Sequence, residues 1–154
     1  ISESNTGKLT KANTALKDNL KSWILQYKMI SDTVDILDAE IVNFGVNYEV
    51  MIDIGANRFS VLNACNDRLA RLLSTKNDIG EYISITNIYK ELQKVQGVVD
   101  VTSVEIISKS GGIYSESNYD FDAALSADAR RVLAEPNVIF ELKYPNLDIR
   151  GSVR

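Results

Sequence analysis

Between residues 40 and 52 every second side chain is apolar. Val42, Phe44, Val46, Tyr48, Val50 and Ile52 alternate with Asn43, Gly45, Asn47, Glu49 and Met51. A period of two over this length predicts a long strand, roughly 39 to 53, with one face against helices and the other wetter. Gly45, in its middle, predicts a bend, a bulge or a close backbone approach. Upstream the period changes. Leu9, Ala12, Leu16, Leu20, Trp23 and Tyr27 recur at spacings of three and four, while Lys11, Lys17, Asp18 and Lys21 lie off that stripe. This predicts an amphipathic helix ending near Lys28. The polar lead "ISESNTGK" reads as a linker, and "MISDTVDILD" as a connector with an extended tendency over 34–37.

Downstream, "DIGAN" turns the chain and Asn57 is placed to cap a helix. In that helix Val61, Leu62, Cys65, Leu69 and Leu72 share one face, while Arg58, Asn66, Asp67, Arg68 and Arg71 lie largely on the other. After the loop "TKNDIGE", Ser84 caps a second helix with Ile85, Ile88, Leu92 and Val95 inward, and Gly97 is expected at its C′ position. "VVDVTSVEII" (98–107) is β-branched and predicts a strand. "SKSGGIYSESNYD" predicts a polar loop or hairpin tip around Gly111 and Gly112. "DAALSADARRVLAE" predicts a short helix stopped by Pro136, 137–144 a last strand, and "NLDIRGSVR" a short tail.

The expected order is helix, strand, helix, helix, strand, strand. It predicts an α+β fold: a two-layer sandwich whose small, mostly antiparallel sheet carries helices on one face, preceded by the amphipathic N-terminal helix. The division expected is a linker and helix over 1–30 and an α+β domain over 31–154. No internal repeat is visible. With 154 residues, a domain of this size buries roughly 70% of the surface its unfolded chain exposes. Net charge is −4, with scattered basic residues, which weighs against duplex nucleic acid or an anionic membrane as the main partner. No apolar run reaches membrane-spanning length and no signal peptide is seen. The polar start without a methionine is expected of a piece of a longer polypeptide.

The chain has no histidine and one cysteine, Cys65. The commonest general base and metal ligand is therefore missing, and neither an intramolecular disulfide nor a multi-cysteine zinc site can form. Glu116, Asp120, Asp122 and Asp128 gather acidic charge, but "DFDAALSADARR" lacks the turn glycine and terminal glutamate of a calcium loop. They read as a solvated loop. Cys65 lies on the apolar face of its helix and reads as a buried structural thiol. Ser103, Ser108 and Ser110 have no histidine partner, and the neighbours Ser108 and Lys109 point to opposite faces of a strand. "SGG" at 110–112 lacks the strand–loop–helix setting and the lysine–hydroxyl pair of a phosphate loop. The residues thus predict no catalytic group, no cofactor and no metal. Trp23 and Tyr27 fit either core packing or a partner contact.

Two stretches carry a family likeness: "LKSWILQYKMISDTVDILDAEIVNFGVNYEVMI" (20–52) and the ending "VIFELKYPNLDIRGSV". A lysine-rich helix runs into "DA-x-I-V-N-x-G-V-x-x-E". A helix opens near Asn57, "V-x-G-V-x-x-V" spans 95–101, and "F-E-x-K-Y-P-x-x-D-I-x-G" spans 140–151. In this order they resemble the C-terminal portion of the baseplate wedge protein of contractile-tailed bacteriophages, related to baseplate J-like proteins. The chain departs most from that pattern at 109–135. The resemblance implies a structural virion protein, made in the host cytoplasm and carried in the tail baseplate. It implies copies that pair with one another and with a different wedge subunit through a helical bundle, within a six-fold ring. The positions expected at protein contacts are Leu16, Leu20, Trp23 and Tyr27 on the first helix and Ile41 and Met51 on the strand's opposite face. The other expectation, from the fold class alone, is a small-molecule-binding regulatory module on a ferredoxin-like scaffold.

Overall fold

The computed structural model describes residues 1–29, 32–75 and 77–154. The chain clusters into two compact units, Ile1–Glu40 and Ile41–Arg154. The first unit opens with β1 (Ser2–Glu3) paired antiparallel with β2 (Leu9–Thr10), where a linker was expected. Helix α1 follows as Thr14–Leu25, its N-terminus capped by the Asn13 side chain accepting from the Leu16 amide. The predicted stripe is therefore longer than the helix. Leu9 lies in β2, Ala12 precedes the cap, and Tyr27 follows the C-cap Gln26. Lys17 Nζ reaches Asp38 at 2.6 Å. Of the predicted connector, residues 30 and 31 lie outside the described residues, and 34–37 form no strand.

The second unit is built on β3 (Glu40–Ile52), which the alternation predicted within a residue at each end. Helix α2 (Arg58–Leu73) starts at Asn57, whose side chain accepts from the Ser60 amide. β4 (Ile83–Ser84) leads into α3 (Ile85–Gln93), capped by Ser84 through the Asn87 amide. That helix ends at a right-handed C-cap, Lys94, so Gly97 (φ 93°) serves the turn into the next strand and is not the C′ residue. β5 (Val98–Lys109) pairs antiparallel with β3, with register shifts opposite Glu49/Val50 and Met51/Ile52. Gly45 is not the site of a bulge. A Cβ there would stand 2.8 Å from the Asp148 carbonyl oxygen, so close backbone approach is what it serves.

No helix forms over 122–135. Asp120 accepts from the Ala123 amide, Ser126 N–H donates to the Arg131 carbonyl, and Leu133 N–H donates to the Ala124 carbonyl. Short polar side chains compete here for the amides a helix would need. The returning β6 (Arg131–Val132) pairs with β4. β7 (Val138–Glu141) is shorter than predicted. The expected tail is instead one helical turn, α4 (Pro145–Asp148), and β8 (Ile149–Val153), which runs parallel to β3. The sheet, with β3 between β5 and β7, is mixed: β5 runs antiparallel and β8 parallel to β3. The fold is α+β. Val42, Phe44, Val46, Tyr48 and Val50 from one face of β3 join Val61, Cys65 and Leu69 of α2 and Ile88 and Leu92 of α3 in one buried cluster. Phe44, Phe121 and Phe140 of this cluster form an aromatic group with the partly buried Tyr119 packed against it.

Candidate functional site

Asn13 starts α1 late enough that Leu16, Leu20 and Trp23 keep their three-and-four spacing along one side of the helix. None of the residues of α1 is buried; Leu16, Leu20 and Trp23 are about half exposed, and Tyr27 just beyond the helix is 73% exposed. The Trp23 and Tyr27 rings lie 5.1 Å apart, tilted at 54°. The stripe is thus an aliphatic and aromatic surface carried on a single capped helix. Lys17 is drawn to Asp38, and the hydrogen bond from Lys17 holds the Asp38 carboxyl below the usual carboxylate range.

The two strand positions expected at contacts, Ile41 and Met51, differ from one another. Met51 is 44% exposed, whereas Ile41 is buried, so Ile41 does not belong to an open surface. The face opposite the core is also not uniformly wet. Asn43 is fully buried, its Oδ1 accepting from the Ser115 amide at 2.7 Å and its Nδ2 donating to Glu141 Oε2 at 2.9 Å. Asp148 is fully buried as well. One oxygen accepts from the Tyr114 hydroxyl at 2.5 Å and the other from the Tyr144 amide at 2.8 Å. Burial, and then the bond to the Asp148 carboxylate, push the Tyr114 phenol up to about 12. Nothing in the local pattern marks Asn43 and Asp148 as interior. An asparagine on the polar phase of an amphipathic strand and an aspartate in a presumed tail are ordinarily solvated.

The acidic residues of 116–128 do not converge. Asp120 caps a turn through the Ala123 amide, and Asp128 accepts from Ser126 Oγ and the Arg130 amide, which lower its carboxyl. Among the described residues no group of three or more acidic or cysteine side chains could hold a metal ion. Cys65 is buried, and burial pushes its thiol up. It lies beside Tyr48, whose phenol is raised by burial first and by the thiol second. The Tyr48 hydroxyl donates to Asn66 Oδ1 at 2.7 Å, so Asn66 turns toward the sheet and does not share the polar face with Arg68 and Arg71. Ser108 Oγ bonds Asn118 Oδ1 at 3.0 Å, within the loop that follows β5. Among the described residues no helix is long and apolar enough to cross a membrane.

No family model matches the chain, and no curated protein matches it significantly in sequence.

Proposed function

We propose that this chain is an assembly protein, the C-terminal portion of a baseplate wedge subunit of a contractile phage tail. In this reading it carries out no catalysis, and it works by holding neighbouring subunits in a ring. The observation that carries the reading is the exposed stripe Leu16, Leu20 and Trp23 on a helix without a buried residue, continued by exposed Tyr27 just beyond its C-cap. A helix that offers apolar and aromatic side chains to solvent gains stability by laying them in a groove or against another helix, and tryptophan and tyrosine are favoured anchors there. The ordered motifs at 20–52, 95–101 and 140–151 supply the kind of assembly. The partners are a second copy of the chain and other wedge subunits within a six-fold ring, and its place is the virion. The unit Ile41–Arg154 is read as a two-layer sandwich. What supports this is the burial of one face of β3 together with α2 and α3 in one cluster.

Sedimentation velocity across a concentration series tests the reading. A reversible dimer is expected, lost in Trp23→Lys and Tyr27→Lys while the circular dichroism spectrum is unchanged. A stable contact should bury on the order of 1,200–2,000 Å² in total. A monomer at every concentration, with no affinity for other baseplate wedge subunits, would overturn it.

A further inference from the structure

Residues 110–118 leave the end of β5 and return at Tyr119, which packs against Phe121 and Phe140. The base of this loop is closed by the Ser108–Asn118 side-chain bond and by the Tyr119 amide donating to Ser108 Oγ at 3.4 Å. A compact loop with adjoining ends can move as a body. Gly111 and Gly112 both have positive φ, 77° and 60°, and a Cβ on either would meet nothing within 4 Å. Ile113, at the tip, is 54% exposed. The loop is tied down by Tyr114 on Asp148, by Ser115 on Asn43, and by the Tyr114 ring set edge-on against Tyr144 at 5.7 Å.

Asn43 and Asp148 each hold a second partner, Asn43 as a donor through Nδ2 and Asp148 as an acceptor. When the loop lifts, Asn43 keeps Glu141 and Asp148 keeps the Tyr144 amide, and water takes the vacated positions. An opening is costly when it strands a buried polar group, and here neither is stranded. A loop held by two hydrogen bonds and one ring contact, with its apolar tip outside, belongs to the low-stability end of a structure.

We propose that residues 110–118 form a hinged strap, latched onto the outward face of β3 through Tyr114–Asp148 and Ser115–Asn43, which opens as a unit while the remainder of Ile41–Arg154 stays folded. Opening extends the solvent-facing part of the sheet. Asn43 is then exposed on the same face as Asn47 and Glu49, which line a hollow of about 340 Å³ with Ser103, Glu105, Arg150 and Ser152.

Amide hydrogen exchange of the whole chain, read residue by residue by NMR, decides this. The Ser115 amide is expected to exchange at least about 100-fold faster than the protected amides of β3, as local opening requires. Tyr114→Phe should accelerate Ser115 by about tenfold, as loss of one charge-assisted hydrogen bond predicts, and leave the β3 amides unchanged. Exchange of Ser115 at the β3 rate in the unaltered chain would overturn the proposal, whatever the variant does. So would equal acceleration of Ser115 and β3 in the variant, because the loop would then be part of the cooperative core.

Discussion

At the scale of single residues, Gly151 and Tyr114 each answer to a distant partner. A Cβ on Gly151 would stand 2.3 Å from Cζ and from the hydroxyl oxygen of Tyr48. Tyr48 has little room to retreat, since it is 2% exposed and its hydroxyl is committed to Asn66. Gly151→Ala is therefore expected to lower stability by roughly 1–3 kcal/mol, the range for overpacking a filled site. The readout is a lower denaturant midpoint at unchanged slope, and an unchanged midpoint would show that Tyr48 yields freely. Tyr114 supplies a pH dependence. Its folded pKa, about 12, lies above the value of about 10 for a free phenol. The stability it contributes is thus complete below about pH 10 and is lost as pH rises through the folded value, where a phenolate would face the Asp148 carboxylate. The midpoint difference between the natural chain and Tyr114→Phe should hold constant up to about pH 10 and shrink above it. A difference that is flat through pH 12 would contradict the Tyr114–Asp148 bond. Neither residue stands out in the sequence, because both effects depend on partners a hundred or tens of positions away.

At the scale of elements, legibility followed whether the signal was local. The caps Asn57 and Ser84 and the buried stripes of α2 and α3 could be read directly, because a cap and a 3.6-residue period are set within one turn. Asn57→Ala should accordingly cost about 1 kcal/mol, with Asn57→Asp close to neutral. Thermal denaturation of the two variants checks this, and equal losses in both would mean that the side chain is not acting as a cap. Over 122–135 alanine, leucine and arginine favour a helix, but Asp120, Ser126 and the pairing of β6 with β4 claim the backbone. β8 was missed because five residues with a central glycine carry almost no periodic signal, and a parallel partner more than a hundred positions upstream leaves no local trace. The apolar stripe of α1 was legible as a stripe. Whether it faced a core or solvent was not, since the same spacing serves both.

At the scale of the whole molecule, the uneven placement of apolar burial makes a prediction of its own. Every member of the buried cluster, from Val42 to Ile149, belongs to the unit Ile41–Arg154. The first unit offers instead a two-residue strand pair and a helix with no buried residue. A segment that buries so little cannot offset its conformational entropy by packing within itself, whereas a unit with its own core folds independently. The chain shortened to residues 39–154 should therefore unfold in one cooperative transition, with a denaturant midpoint close to that of the longer chain and a slope reduced only in proportion to the surface removed. The same shortening should abolish the concentration-dependent dimer, because the stripe Leu16, Leu20, Trp23 and Tyr27 is gone. The two measurements separate stability from assembly. Loss of the transition would show that the core depends on residues 1–38, and a dimer that survived would move the contact to the sheet side, where Met51 is the exposed apolar residue to substitute first.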